Sequence, residues 1–215
     1  MFPLSDVIPS RTFPIATITL IVINALVFLY EATLPDPVLR QFVAQYGLVP
    51  AYFSWGAVLT SMFLHGGWLH VIGNMLYLWI FGDNVEDRLG HAGYILFYLA
   101  AGTTAALLQV MMAPGSMVPM VGASGAIAGV MGAYFVLFPQ SRVLTAVLIF
   151  FYLELIEIPA IFFLGIWFLM QLFSGVGSIG AAADTGGVAF WAHVGGFVAG
   201  FAVGGLARLA GPKRW

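Results

Sequence analysis

The chain has 215 residues, of which 61% are apolar and only 7% are charged. A soluble domain carries about 25% charged residues, so this chain has too few charges to cover a water-facing surface, and its composition indicates a membrane protein. Seven Lys and Arg residues leave no basic surface for nucleic acid. The chain contains no cysteine, which excludes disulfides and thiolate metal sites.

Apolar runs predict the membrane-spanning helices, each of which needs about 20 residues or as few as about 17. Six segments qualify, in chain order 14–31, 68–82, 93–112, 122–138, 158–174 and 188–208. A cleaved signal peptide is the alternative for the first segment, but only one basic residue precedes it and no cleavage site follows. Segment 143–153 is apolar but short, and we interpret it as a loop or an interfacial piece. A seventh span there is the main alternative.

The distribution of basic residues predicts the orientation of this bundle. A cytoplasmic N-terminus places six of the seven Lys and Arg residues inside and only Arg40 outside, as the positive-inside rule requires. Six spans then return both termini to the cytoplasm. The expected fold is an all-α membrane protein, a six-helix bundle with a short fourth helix and a long first loop at about 32–67. We expect residues 1–215 to form a single domain, without an appended soluble domain.

Four polar side chains fall inside the predicted spans near the outer face. His70 and Asn74 lie in the second span, Ser124 in the fourth and His193 in the sixth. Intramembrane ionisable groups are costly and usually functional, although a single histidine is more often bonded to a neighbouring carbonyl. The structural alternatives are a helix N-cap for Ser124 and interhelical hydrogen bonds for the others. Four such groups at one depth favour a site.

Small residues indicate how the serine and the histidine meet. Nine of the twelve residues from Gly122 to Ala133 are Gly, Ala or Ser, so the fourth helix is thin and suits the centre of the bundle. In the sixth span three glycines share a face with His193, and they form two overlapping GxxxG motifs: Gly196, Gly200 and Gly204. The loop 113–121 is rich in Pro and Gly, and irregular backbone at membrane depth must line a wet cavity or be buried. We expect Ser124 at the floor of a water-filled pocket.

The residue types in this pattern suit acyl transfer. Ser124 stands at a helix N-terminus, where free N–H groups stabilise negative charge, and His193 can act as general base and then general acid. His70 and Asn74, spaced i, i+4 on one helix face, can both donate hydrogen bonds to an oxyanion. The fourth and sixth helices contain no carboxylate. A Ser–His dyad is therefore favoured, with Asp184 the only candidate for a third member.

Other catalytic motifs are absent from the sequence. There is no H-E-x-x-H zinc motif, GASGA does not match G-x-S-x-G, and Asp83 has no paired intramembrane aspartate. We expect no metal and no cofactor.

The motifs HGGWLHVIGNM, GASG and AHVGG, with GDNVEDRLG and YFVLFPQSR, resemble the rhomboid intramembrane serine proteases when taken together in this order. The resemblance implies hydrolysis of peptide bonds in the membrane anchors of other proteins, near the outer membrane face. It makes Ser124 the nucleophile and His193 the base. It assigns His70 and Asn74, with the Ser124 backbone N–H, to the oxyanion.

The resemblance also assigns scaffold residues. His65 matches a structural or water-binding histidine of the first loop, and Glu86 matches an acid that ties the second helix to its following loop. Many members carry Trp-Arg in the first loop, whereas this chain has Trp55-Gly56. The N-terminus does not resemble a transit peptide, which favours the plasma membrane of a bacterium or archaeon, with the active site open to the outer side.

Two other functions stay open on the sequence. One is a six-helix channel or transporter that uses His70, Asn74 and His193 as a polar path. The polar groups stop in the outer half and no inverted repeat is evident, which argues against it. The other is an inactive rhomboid-like protein that binds membrane clients. The expected partners are the lipid bilayer and single-span or other membrane proteins as substrates, and not nucleic acid.

Overall fold

The computed structural model describes residues 2–149, 151–178 and 189–211. Within these ranges the chain forms eight α-helices and one three-stranded sheet. In chain order the elements are β1 (Phe2–Asp6), α1 (Ile15–Glu31), α2 (Asp36–Tyr46), α3 (Trp55–Thr60), α4 (Trp68–Leu89), α5 (His91–Met112), α6 (Ser124–Leu137), β2 (Arg142–Ile149), β3 (Tyr152–Pro159), α7 (Ala160–Gly177) and α8 (Phe190–Leu209). Two 3-10 turns, Pro50–Tyr52 and Ser61–Phe63, lie in the long first loop.

Each predicted span coincides with a helix, namely α1, α4, α5, α6, α7 and α8 in that order. Among the described residues, α5, α7 and α8 are long and apolar enough to cross a membrane, whereas α1 and α6 are apolar but shorter. The helix α4 extends beyond the predicted 68–82 and continues to Leu89 through a charged segment that contains Glu86. The mostly helical membrane bundle is therefore established, and the number of crossings stays a prediction.

The expectation of an all-α fold is wrong for segment 143–153, which we interpreted as a loop or an interfacial piece. It forms β2 and the start of β3, an antiparallel hairpin in which Arg142 is opposite Pro159. The strand β1 completes the sheet with Phe2 opposite Ala146. A hairpin satisfies the backbone hydrogen bonds of an apolar run that is too short to span a membrane. The described part of this segment is extended, which removes the seventh span.

The helix α6 lies at the centre of the bundle, and its residues 125–134 are all buried. A Cβ added to Gly200 of α8 would overlap the carbonyl of Gly129 in α6, and one added to Gly196 would overlap the carbonyl of Gly125. Backbone therefore contacts backbone along this pair, because neither helix carries side chains there. The predicted packing of the GxxxG face against a thin central helix is confirmed.

We call the end of the bundle where α6 begins the site end, and the end where α6 stops the sheet end. At the sheet end Glu86 of α4 accepts hydrogen bonds from the backbone N–H groups of Ala16 (2.8 Å) and Thr17 (2.7 Å), in the first turn of α1. It also accepts from the Thr17 hydroxyl at 2.7 Å and contacts Nδ1 of His91, the first residue of α5, at 2.5 Å. One buried carboxylate thus joins three helices, and satisfies N–H groups that a helix start leaves free.

A second polar contact at the sheet end joins the sheet to the central helix. The Tyr134 hydroxyl of α6 donates to the carboxylate of Asp6 at the end of β1. Its oxygen lies 2.7 Å from the hydroxyl of Ser141, the residue before β2. Burial raises the pKa of the Asp6 carboxyl above its ordinary value, and the hydrogen bond from Tyr134 opposes this effect. The two strands are therefore anchored to the last turns of α6.

Candidate active site

Ser124 and His193 meet at the site end although 69 positions separate them. Ser124 is the first residue of α6, and His193 lies in the first turn of α8. Nε2 of His193 is 2.8 Å from Oγ of Ser124. At this distance an imidazole can accept the hydroxyl proton. The close glycine contacts between α6 and α8 lie directly below and hold the two helix starts side by side.

The other ring nitrogen of His193 has a partner that the sequence analysis missed. Nδ1 lies 2.8 Å from Oε1 of Gln171 in α7. One turn earlier in α7, the indole of Trp167 packs on the imidazole with ring centroids 5.7 Å apart. Gln171 is an amide, whereas a third member of such a site is usually a carboxylate. The signal that could have found Gln171 is an amide side chain within the apolar segment 158–174.

His70 and Asn74 of α4 line the same cavity as Ser124 and His193, with a volume of about 750 Å³. The Gly66 backbone N–H donates to Nδ1 of His70 at 3.3 Å. A neutral His70 therefore carries its proton on Nε2 and can donate from that atom. The amide nitrogen Nδ2 of Asn74 is buried and has no hydrogen-bond partner among the described residues. Both side chains thus offer a donor at the site.

Gly122 connects these donors to the start of α6. A Cβ at this position would lie 2.8 Å from Nε2 of His70 and 3.5 Å from Nδ2 of Asn74. Gly122 also has φ of +124°, which other residues rarely adopt. Its N–H donates to the Ser61 carbonyl at 2.8 Å, which fixes the chain entering α6. The absence of a side chain lets the backbone pass against both donors two residues before Ser124.

His65 packs against His70, next to this site. Its ring packs against that of His70 with centroids 5.1 Å apart, and its backbone N–H donates to Glu31 at 3.1 Å. Burial, and to a smaller extent the nearby His70, lower the pKa of His65 to about 4. His65 is consequently uncharged at neutral pH. It is not among the described residues that line the cavity.

The remaining sequence candidate, Asp184, lies outside the described residues. Within the described part of the chain, no group of three His, Asp or Glu side chains is placed to hold a metal ion. The candidate catalytic contacts of the site are those that Ser124, His193 and Gln171 make with one another, and His70 and Asn74 line the same cavity.

Comparison with known proteins identifies the family. Residues 52–209 match the family model of the Rhomboid domain. The chain belongs to the rhomboid family. It is similar to "Rhomboid protease GluP" of Bacillus subtilis (strain 168), with 39% identity over 95 residues, which is 44% of this chain and 18% of that protein. It is also similar to "Putative rhomboid protease YdcA" of the same organism, with 31% identity over 125 residues, 58% of this chain and 62% of that protein.

A eukaryotic relative is "Rhomboid protein 1, mitochondrial" of Saccharomyces cerevisiae (strain ATCC 204508 / S288c), 30% identical over 152 residues, 69% of this chain and 40% of that protein. The match therefore spans less than two thirds of the length of each of these three relatives. Family membership and the apolar helices make this chain an integral membrane protein of a hydrolase family.

Proposed function

We propose that this rhomboid-family protein is an intramembrane serine endopeptidase that cleaves peptide bonds in or near the transmembrane segments of other membrane proteins. The observation that carries the proposal is the 2.8 Å contact between Nε2 of His193 and Oγ of Ser124. Both groups line a cavity at the start of a buried helix. A nucleophile, a base and a place for the scissile bond are therefore together.

The first half-reaction is acylation of Ser124. Oγ of Ser124 attacks the substrate carbonyl while Nε2 of His193 takes the hydroxyl proton. The tetrahedral intermediate collapses when His193 returns that proton to the leaving amine, which breaks the peptide bond and leaves an ester on Ser124. In the second half-reaction a water attacks the ester with His193 again as base, and Ser124 regains its proton.

The oxyanion of each tetrahedral intermediate needs donors that point at it. His70 can donate from Nε2 because the Gly66 N–H occupies its Nδ1. The Nδ2 amide of Asn74 is buried without a partner among the described residues. Burying such a donor costs free energy, and a substrate oxygen that accepts its hydrogen bond would offset this cost. The backbone N–H of Ser124, in the first turn of α6, is the third donor.

The same proposal includes the membrane arrangement. It comprises six crossings, both termini in the cytoplasm, and the cavity open to the outer side of a bacterial or archaeal plasma membrane. Its support is the charge distribution, which leaves only Arg40 of the basic residues outside. Because the chain has no native cysteine, single introduced cysteines can be labelled from outside intact cells. We expect a cysteine near Arg40 to react and one near Arg11 to stay protected; the reverse pattern would contradict this orientation.

The activity is tested with a fluorophosphonate probe and a fluorescent transmembrane peptide in detergent. We expect the native chain to react and cleave, and Ser124→Ala to do neither. The matched control is Ser174→Ala, which removes an exposed hydroxyl from α7 and should keep both activities. Cleavage by purified Ser124→Ala would overturn the proposal. A folded native chain that neither reacts nor cleaves would favour the client-binding alternative.

A further inference from the structure

A third side chain completes the contacts around the imidazole of His193. Oε1 of Gln171 lies 2.8 Å from Nδ1, on the ring edge away from Ser124. We infer that Gln171 is a positioning residue that holds His193 in the tautomer protonated on Nδ1. This inference rests on the proposed function, since the tautomer matters for the reaction only if His193 is the base. Ser124, His193 and Gln171 then form one hydrogen-bonded chain.

A neutral imidazole has a limited hydrogen-bond capacity. Such a ring has one N–H and one acceptor nitrogen, and the partner of one nitrogen decides the role of the other. The carbonyl oxygen of Gln171 can only accept, so Nδ1 of His193 must donate to it. Nε2 is then left with a free lone pair facing the Ser124 hydroxyl. The opposite tautomer would place a proton on Nε2 and leave no base beside the nucleophile.

The ring is also held from its face. Trp167 precedes Gln171 by four residues, so both side chains project from one side of α7 toward α8. The Trp167 indole packs on the His193 ring, with centroids 5.7 Å apart, and on Phe197 one turn further along α8, with centroids 6.3 Å apart. One face of α7 thus supplies both an aromatic ring that packs on the imidazole and a carbonyl oxygen that accepts its hydrogen bond. This pair of contacts fixes the rotation of the imidazole as well as its tautomer.

A neutral acceptor suits the surroundings of this site. A carboxylate in the same place would stabilise the imidazolium more strongly, but it would be a costly charge inside the membrane whenever His193 is neutral. The amide of Gln171 carries a dipole and no net charge. It can accept from Nδ1 both before and after His193 takes the Ser124 proton. This explains how the site can function although α6 and α8 contain no carboxylate.

The first test measures kcat and KM for the transmembrane peptide with three variants. Gln171→Met keeps the side-chain length but removes the acceptor, and we expect kcat to fall about 10- to 100-fold with KM unchanged. This loss is smaller than the roughly 10⁴-fold loss when the buried carboxylate of a Ser–His–Asp triad becomes an amide. Gln171→Glu restores an acceptor and should recover most of the rate. Gln140→Met, at an exposed glutamine of the sheet end, is the matched control and should behave as the native chain.

The second test observes the tautomer directly and does not depend on activity. In ¹⁵N-histidine-labelled protein, with His193 assigned by its loss in His193→Ala, we expect Nδ1 protonated and Nε2 unprotonated at neutral pH. Gln171→Met should show both tautomers. This measurement decides the matter even if Gln171→Glu does not fold.

The outcomes separate this inference from the proposed function. A native His193 protonated on Nε2, an unchanged kcat in Gln171→Met, or a folded Gln171→Glu as slow as Gln171→Met would overturn the role of Gln171. Ser124→Ala would still be inactive in those cases, so the protease proposal would stand. An active Ser124→Ala would instead overturn the protease itself, whatever the tautomer of His193.

Discussion

Glu86 and Tyr134 at one end of the bundle and His70 and Asn74 at the other use their polar groups in opposite ways. At the sheet end Glu86 and Tyr134 are engaged with groups of the protein itself, and they join α1, α4, α5, α6 and the sheet. At the site end His70 and Asn74 face a cavity, and the amide nitrogen of Asn74 has no partner among the described residues. The paired groups stabilise the fold, whereas an unsatisfied donor costs stability but is available to a substrate.

Substitutions at the two ends should therefore have different effects on the catalytic rate and on stability. Changes at the site end should alter the catalytic rate and leave unfolding nearly unaffected, whereas changes at the sheet end should do the reverse. The glycine contacts of α6 and α8 run between the two ends, so substitutions there should affect the rate through geometry.

The largest effect is expected for His193. His193→Ala should reduce cleavage to the level of Ser124→Ala, and the double variant should be no slower, because nucleophile and base act as a unit. Steady-state cleavage by the three purified variants measures this. The matched control is His91→Ala at the sheet end, which removes a partner of Glu86 and should lower the melting temperature with kcat unchanged. Additive losses for Ser124 and His193 would contradict a shared mechanism.

The next effect is expected at the contact between the two central helices. Gly200→Leu places a side chain where the carbonyl of Gly129 lies, so α8 must move away from α6. A shift of about 1 Å can cost about 10²-fold in rate, and we expect a loss of this size. Leucine is apolar enough for membrane insertion to persist. Full activity in Gly200→Leu would mean that this contact does not set the distance between Ser124 and His193.

The chain provides a matched control on the same helix. A Cβ at Gly205 meets no atom within 4 Å. Gly205→Leu therefore makes the same chemical change in α8 without a clash, and it should retain the native rate. Comparing the two variants separates backbone contact from a general intolerance of α8 to leucine.

A smaller effect is expected for Asn74, one of the candidate oxyanion donors. One such donor is typically worth about 10²–10³ in rate, and the loss is smaller where other donors share the charge. Asn74→Ala should therefore lower kcat but stay measurably active, with little change in KM. Its cost to stability should be small, because the buried amide nitrogen of Asn74 has no hydrogen-bond partner among the described residues to lose. A normal kcat with a lower melting temperature would make Asn74 a structural residue.

The sequence alone predicted the helices and the approach of two helix starts for a physical reason. Period and length identify apolar helices, and a face of glycines beneath His193 lets another helix backbone approach, for which the small-residue segment 122–138 is the natural partner. The hairpin could not be predicted in this way. Its third strand, Phe2–Asp6, lies about 140 residues away, and pairing at that separation leaves no local pattern.

Gln171 was not predicted from the sequence for a different reason. The sequence analysis sought a charged partner for the histidine, whereas the structure presents a neutral amide from a helix that carries neither the serine nor the histidine. Glu86 illustrates the same limit. The resemblance to the rhomboid family suggested that Glu86 connects the second predicted helix to the loop after it. The structure adds the first turn of α1 as the main hydrogen-bond partner of Glu86. Which elements a polar side chain joins depends on tertiary packing that spacing does not reveal.

The smallest effect on rate is expected for Tyr134→Phe at the sheet end. This change removes the hydroxyl that donates to Asp6 and accepts from Ser141, and the free energy of unfolding should fall by about 1 kcal/mol with kcat unchanged. Because the pKa of Asp6 is raised by burial, its ionised form opposes folding, and stability is lost as pH rises through the folded-state pKa. Tyr134 weakens this effect by bonding the carboxylate.

The stability difference between the native chain and Tyr134→Phe should therefore be smallest in acid, where Asp6 is protonated, and grow toward neutral pH. Melting temperatures in detergent across this range measure it, and taking the difference between two chains cancels groups that titrate alike in both. Tyr152→Phe removes an exposed hydroxyl from β3 and should show no such trend. If Tyr134→Phe instead slowed cleavage as much as Asn74→Ala, the two ends of the bundle would not divide rate and stability between them.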